Sequence, residues 1–70
     1  MALFPDRLKG LRKAKAVTQK TMAEYLGVTD RSYRYYEAGD LEPNHATTIR
    51  LADYFGVTID YLLGRTDNPK

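Results

Sequence analysis

The chain has 70 residues, 43% of them hydrophobic and 29% charged, which fits one small globular domain; the absence of cysteine excludes disulfides and thiolate metal sites, and a lone histidine argues against other metal binding. Residues 1–37 hold eight Lys and Arg against four Asp and Glu, while residues 38–70 hold three against five, and such asymmetry hints at an anionic partner such as nucleic acid. No apolar run long enough to cross a membrane and no signal-peptide pattern occurs, so we expect a soluble cytoplasmic protein without a membrane partner.

The first helix is predicted from about Pro5 to about Ala14. Proline suits the first turn of a helix because its missing N–H is not needed there, and Asp6 complements the positive end of the helix dipole. Leu8 and Leu11 recur at helical spacing and give this helix an apolar face.

Three later helices share a starting device in which a valine precedes a threonine: Val17-Thr18, Val28-Thr29 and Val57-Thr58. The threonine oxygen can accept a hydrogen bond from an unpaired backbone N–H, while the valine packs on the residue five positions later. Glycines stand where helices should stop, since glycine tolerates a positive φ. The predicted helices are Gln19 to Leu26, Asp30 to about Ala38, and Ile59 to Leu63.

The fourth helix opens at Pro43 and Asn44, and we expect its buried side to consist of Ile49, Leu51, Ala52 and Phe55. No strand-like alternation, low-complexity tract or long linker occurs. The sequence therefore predicts an all-α fold of five helices in a single domain, residues 1–70, with a core at about 4–64 and a frayed tail at 65–70.

Helices two and three are joined by only three residues, 27–29, which is the connection of a helix-turn-helix. On a helical wheel the third helix has an inward face of Tyr33, Tyr36 and Glu37 and an outward face of Arg31, Ser32, Arg34 and Tyr35. An α-helix fits the major groove of DNA, arginine can bind guanine edges, and Lys, Arg and Tyr donate to phosphates. The outward face is therefore either a DNA-reading surface or an ordinary solvated helix face.

The stretch TQKTMAEYLGVTDRSYRYYEAG resembles the helix-turn-helix of the XRE family, which includes the lambda-type and Cro-type phage repressors. The positions in register are Thr18, Gln19, Ala23, Gly27, Val28, Glu37 and Gly39, with Met22 for the usual Leu and Thr29 for the usual Ser. The ending LADYFGVTIDYLLGRTDNP is similar to that of small regulators of this family, so the resemblance covers about residues 4–68. It implies a five-helix, lambda repressor-like domain that binds operator DNA.

The resemblance also implies roles for single residues. The positions that usually reach base edges are occupied by Asp30, Arg31 and Tyr35. The resemblance implies a phosphate contact for Gln19, and the DNA-binding hypothesis adds further phosphate contacts from Lys20, Ser32, Arg34, Asn44 and Arg12. Arg12 and Glu37 match a pair that forms a salt bridge between helices one and three, and an inward Glu37 requires a cation in any case. The pair is either purely structural or, if Arg12 also approaches the DNA backbone, structural and DNA-binding at once.

Several positions depart from the family pattern. Asp30 places a carboxylate at the leading base-reading position, where it either accepts a hydrogen bond from cytosine or merely favours the helix N-terminus. Tyr33 replaces a commoner aliphatic residue, so we expect a repacked core below helix three. Asp40 and Glu42 weaken phosphate attraction in the loop that follows. Ala16 stands where glycine is frequent, and it would be strained at a positive φ.

The leading hypothesis is a sequence-specific transcriptional regulator, a phage- or mobile-element-type repressor that occupies its operator with helix three in the major groove. One such module buries only roughly 600–1,000 Å², so useful affinity suggests a homodimer on near-palindromic double-stranded DNA. Tyr61 and Leu62 of helix five, with the tail, form our candidate dimer surface, although burial inside the monomer would explain them equally well.

The alternative hypothesis is an antitoxin or protein-interaction module on the same fold, with a toxin or antirepressor as its protein partner. No carboxylate pair, phosphate loop or Ser-His arrangement stands out. We therefore expect neither enzymatic activity nor a cofactor, and we interpret His45 as a surface residue.

Overall fold

Five α-helices follow one another in the computed structural model, which describes residues 3–70. Their bounds are α1 Phe4–Ala14, α2 Gln19–Leu26, α3 Asp30–Ala38, α4 His45–Phe55 and α5 Ile59–Leu62. The predicted all-α class is confirmed, and α2 and α3 have the predicted bounds. α1 begins one residue earlier than predicted, and α5 ends one residue earlier.

Side-chain caps explain why four of the helices begin where they do. Thr18, Thr29 and Thr58 each accept a hydrogen bond from the backbone N–H three residues later, at 3.1, 3.0 and 3.1 Å. Asn44 caps α4 in the same way, since its Oδ1 accepts from the Thr47 N–H at 2.8 Å. Each cap satisfies one of the N–H groups that lack a partner within the helix.

The core draws on every helix: its buried side chains are Leu8, Met22, Ala23, Leu26, Tyr33, Tyr36, Leu51, Ala52 and Leu62. The valines of the three starting devices pack against this core. Tyr33 is fully buried, and its ring meets Tyr36 edge-on with centroids 6.1 Å apart. The inner face of α3 is thus anchored by two aromatic rings, as the helical wheel predicted.

Three large apolar side chains of α4 and α5 are partly exposed, and one of them, Ile49, was expected to be buried. Ile49 is 47% exposed because it lies about 160° around α4 from Leu51, at roughly 100° per residue. Ile59 is 40% and Leu63 42% exposed, since a helix as short as α5 turns only Leu62 fully toward the core. The prediction that Ile49 forms part of the buried side of α4 was wrong.

The tail, for which we expected fraying, is hydrogen-bonded to the body of the domain. The Pro69 carbonyl accepts from the Thr58 N–H at 3.1 Å. Arg7 of α1 donates to Asp67 Oδ1 at 2.9 Å and to the Thr66 carbonyl at 3.4 Å. The tail is therefore hydrogen-bonded to the first turn of α1 and to the N-cap residue of α5.

Candidate nucleic-acid interface

The turn between α2 and α3 fixes the position of the outward helix. Gly27 adopts a left-handed conformation with φ of 72°, which a residue with a Cβ rarely adopts. The Val28 N–H then donates to the Ala23 carbonyl at 3.1 Å, and Thr29 caps α3 immediately afterwards. The three-residue turn therefore sets the direction of α3, which packs against α2.

The outer face of α3 carries the residues that the sequence placed there. Asp30, Arg31 and Arg34 are exposed, and Tyr35 is 37% exposed. Arg31 Nε donates to the Tyr35 hydroxyl at 2.9 Å, and its guanidinium lies 5.5 Å from the centre of the Tyr35 ring. Two of the three expected base-reading side chains are thus in direct contact with each other.

Ser32 has a more local role than its neighbours on α3. Its side chain is half-buried, and its Oγ lies 3.0 Å from the hydroxyl of Thr29, which donates to it. Its backbone N–H donates to the same Thr29 hydroxyl oxygen. Ser32 therefore belongs to the start of α3 as well as to its outer face.

On the inner side of α3, the carboxylate of Glu37 gathers donors from three helices. Arg12 of α1 donates from Nε at 2.6 Å and from its second amino nitrogen at 3.2 Å. Tyr33 donates its hydroxyl at 2.6 Å, and Gln19 of α2 donates its amide at 3.1 Å. Glu37 is only 5% exposed, so this network satisfies a charge that burial alone would make very costly.

This network shifts the protonation equilibria of its members. Burial acts to raise the pKa of the Glu37 carboxyl, but the hydrogen bonds from Arg12, Tyr33 and Gln19 favour the charged form, and its pKa lies below the ordinary value. Burial and the hydrogen bond to Glu37 raise the pKa of Tyr33. Glu37 is therefore an ionised acceptor and Tyr33 a protonated donor near neutral pH.

The same network limits what Arg12 and Gln19 can offer to a ligand. All three side-chain nitrogens of Arg12 are engaged, because the remaining one donates to the Val17 carbonyl at 3.0 Å. This geometry favours the structural role over the dual role for Arg12. Gln19 is half-buried and keeps one amide N–H beyond the bond to Glu37.

A basic cleft lies beside this network, between α1 and the start of α2, with a volume of about 490 Å³. Lys9 and Lys13 line it together with Arg12, Gln19 and Glu37. Sequence reasoning missed both lysines, although their spacing of four residues places them on one face of α1. Because Glu37 is paired with Arg12, the two lysines leave the cleft with a net positive charge.

The remaining expected phosphate contacts are accessible. Lys20 and Arg34 are exposed. Asn44 is exposed too, and its Oδ1 caps α4, so only its amide nitrogen is available to a ligand. Lys20 and Asn44 stand at the starts of α2 and α4, and Arg34 lies in the middle of α3.

An apolar groove of about 560 Å³ runs between α1, α4 and α5. Its apolar lining consists of Phe4, Pro43, Ile49, Ile59 and Leu63, and exposed His45 stands at its side. The side chains that we had chosen for a dimer surface are used within the monomer. Leu62 is fully buried, and the Tyr61 ring lies 3.8 Å beneath the Arg7 guanidinium.

Residues 3–70 contain neither a metal-binding cluster nor a helix suited to cross a membrane. No group of three or more His, Cys, Asp or Glu side chains is arranged to hold a metal ion there. None of the helices in this range combines the length and apolarity that a membrane span requires.

Sequence comparisons connect this geometry to known proteins. The helix-turn-helix family model matches residues 8–62. An uncharacterized HTH-type transcriptional regulator of Bacillus subtilis, YqaE, is 41% identical over 68 residues, which are 97% of this chain and 59% of that protein. The cryptic phage CTXphi transcriptional repressor RstR of Vibrio cholerae is 38% identical over 60 residues, 86% of this chain and 54% of that protein. The chain thus spans less than two thirds of the length of these relatives.

Solved structures give the same fold. A transcriptional regulator from Listeria innocua superposes with a TM-score of 0.86 at 35% identity, covering 93% of this chain and 61% of that one. The P22 c2 repressor, solved in complex with a synthetic operator, superposes with a TM-score of 0.82 at 25% identity, covering 90% and 96%.

Proposed function

Because the chain belongs to the XRE family of helix-turn-helix transcriptional regulators, we propose that it is a phage-type repressor that acts in the cytoplasm by occupying operator DNA. The observation that carries the proposal is the division of α3 into two faces. Tyr33 and Tyr36 hold the helix from the inside, and this leaves Arg31, Arg34 and Tyr35 outward on a fixed support. A cationic helix face of this kind suits the major groove.

In the proposed complex, α3 lies in the major groove with Asp30, Arg31 and Tyr35 toward the base edges. The phosphate contacts come from Gln19, Lys20, Ser32, Arg34 and Asn44 around it. Lys9 and Lys13 add a further phosphate site, since the basic cleft that they line opens at the capped start of α2. Arg12 supports the interface by holding Glu37.

We also propose that two copies bind a near-palindromic operator. One module of this size buries too little DNA surface for tight binding alone. The apolar groove supports a dimer, because Ile49, Ile59 and Leu63 each leave at least 40% of their surface exposed there. A two-fold dimer through this groove would carry two α3 helices, one for each half-site of the operator.

Selection of bound duplexes from a random pool at low ionic strength, followed by salt titration of the selected site, tests the proposal. Four cationic phosphate contacts per module, from Lys9, Lys13, Lys20 and Arg34, predict that log affinity falls with log salt at a slope of about −3.6 per module and about −7 for the dimer. Failure of every duplex to bind at low ionic strength would refute DNA binding.

The second candidate is a protein-interaction module such as an antitoxin. The same apolar groove favours it, because a partner's apolar side chains could fill the groove, and Glu42 stands at its edge. Affinity for a partner through this groove should change little with salt, unlike DNA affinity. The slope of log affinity against log salt concentration therefore distinguishes DNA binding from protein binding.

A further inference from the structure

We propose that Arg31 binds a guanine in the major groove through its two terminal amino groups, and that Tyr35 is the positioning residue that aims them. This inference rests on the proposed function, since it assumes that α3 enters the groove. It gives the outer face of α3 a defined ligand, the O6 and N7 edge of one guanine in each half-site.

Arg31 and Tyr35 are in direct contact on the outer face of α3. Arg31 and Tyr35 are four residues apart and therefore lie on one face of α3, one turn from each other. Side chains on a helix lean toward its N-terminus, so Tyr35 extends toward Arg31. The Tyr35 hydroxyl oxygen accepts from Arg31 Nε at 2.9 Å.

The contact with Tyr35 uses one of the three side-chain nitrogens of Arg31. With Nε engaged, the two terminal amino groups of Arg31 remain side by side as donors. Guanine offers two acceptors in the major groove, whereas adenine offers one acceptor and one donor at the same places. A pair of parallel donors therefore distinguishes guanine from adenine.

The positive charge of Arg31 is the next relevant property. The ion pairs found within residues 3–70 involve other arginines, Arg7 with Asp67 and Arg12 with Glu37. Within residues 3–70, therefore, no carboxylate balances the positive charge of the Arg31 guanidinium. Its place as the second residue of α3 also suits the base edges, since recognition helices contact bases through their N-terminal residues.

The matched case is Arg34, which is exposed on the same helix. Arg31 is held by a neighbouring side chain before any ligand arrives, and less side-chain freedom is lost when a held group binds. Arg34 has no such contact within residues 3–70, and we assign it to phosphate. The two arginines thus provide an internal comparison.

The experiment is duplex selection from a random pool with the whole chain and four variants: Arg31→Lys, Tyr35→Phe, Arg34→Ala and Tyr25→Phe. Arg31→Lys keeps the charge and removes the paired donors. Tyr35→Phe keeps the ring and removes the acceptor for Nε. Tyr25→Phe removes a hydroxyl from the contact between α2 and α4, where it donates to the Arg50 carbonyl, and serves as the control.

We expect the unmodified chain to prefer guanine at one position of each half-site by about 5- to 150-fold over the other bases. Arg31→Lys should abolish that preference, and Tyr35→Phe should weaken it about 2- to 10-fold at the same position only. Arg34→Ala should weaken all sequences alike, and Tyr25→Phe should change nothing.

Three results would overturn the inference while leaving DNA binding intact. They are a guanine preference that survives Arg31→Lys, an unchanged preference in Tyr35→Phe, and a Tyr35→Phe effect at a different base, which would make Tyr35 a reader in its own right. Binding of no duplex by the unmodified chain would instead defeat the proposed function and this inference with it.

Discussion

The hydroxyl of Tyr33 donates to Oε2 of Glu37 over 2.6 Å, one turn apart on the inner face of α3. The ring of Tyr33 is fully buried, so one side chain fills the core and also satisfies a buried carboxylate. Glu37 joins α3 to Arg12 of α1 and Gln19 of α2 as well. The orientation of α3 therefore depends on a polar cluster beneath it as much as on apolar packing.

Tyr33→Phe should lower the free energy of unfolding by about 1.5–3 kcal/mol, the range for a hydrogen bond to a charged group. Phenylalanine keeps the ring but leaves the Glu37 carboxylate one donor short. Urea denaturation at neutral pH measures the change. Tyr36→Phe is the matched control, because Tyr36 is 6% exposed and is not bonded to Glu37. Equal losses in the two variants would show that the Tyr33 hydroxyl contributes nothing special.

Acid should destabilise the protein through Glu37. The pKa of this carboxyl is lower in the folded protein than the ordinary value of 4.5, so its stabilising contribution is complete above about pH 5.5 and is lost as the pH falls through 4.5 toward the folded pKa. Urea midpoints between pH 7 and pH 3 test this for the unmodified chain and Glu37→Gln. The difference between the urea midpoints of the two proteins should become smaller as the pH falls. A difference that stays constant with pH would contradict an ionised Glu37 in this network.

Ala16→Gly should stabilise the protein by about 0.5–1 kcal/mol. Ala16 has φ of 59°, a left-handed conformation that costs a residue with a Cβ about 1–2 kcal/mol, and the greater freedom of glycine in the unfolded chain offsets part of the gain. Thermal unfolding measures the difference. Ala14→Gly, inside the last turn of α1, should instead destabilise by about 1 kcal/mol. A loss of stability in Ala16→Gly would refute the strain.

Leu63→Asp should weaken self-association at least about tenfold if the apolar groove joins two copies. Leu63 is 42% exposed, so the folded monomer should tolerate the change. Leu41→Asp is the control, since Leu41 is 41% exposed but does not line the groove. Sedimentation equilibrium gives the association constants. Matching constants for the two variants would exclude the groove as the dimer contact.

Replacing Lys9 and Lys13 together by alanine should weaken binding to all duplexes alike and make the salt slope shallower by about 2 per module, or about 4 for the dimer. The reason is that each lysine of the basic cleft is expected to neutralise one phosphate. Fluorescence anisotropy at several salt concentrations measures the slope. The double variant Arg65→Ala, Lys70→Ala removes the same charge from exposed positions of the tail and should leave the slope unchanged. A slope equal to that of the unmodified chain would remove the cleft from the interface.

The bounds of α2 and α3 were predicted correctly because short-range interactions determine where these two helices begin and end. A threonine that binds its own helix start and a glycine with positive φ act within four residues of the chain, so Thr29 and Gly39 were enough to bound α3. The division of α3 into faces also followed from helical spacing alone. The structure agrees for Tyr33 and Tyr36, which are buried, and for Arg31 and Arg34, which are exposed.

The remaining features depend on contacts between distant segments, which helical spacing does not contain. Ile49 is the exception, because its position about 160° around α4 from Leu51 follows from helical spacing and already placed it off the buried side. The bond from Gln19 to Glu37 joins residues 18 positions apart, and its donor had been assigned to phosphate alone. Lys9 and Lys13 form a basic cleft only because the start of α2 packs beside them, and the sequence does not show this contact.

The separation of α3 into an anchored side and a free side also affects how such a protein can diversify. Tyr33, Tyr36 and Glu37 hold the helix without help from Arg31, Arg34 or Tyr35. The outer side chains can therefore be exchanged for others at little cost in stability. On the proposed function, changes at a few outer positions of α3 would alter which DNA sequence the domain binds while the buried support of the helix stays the same.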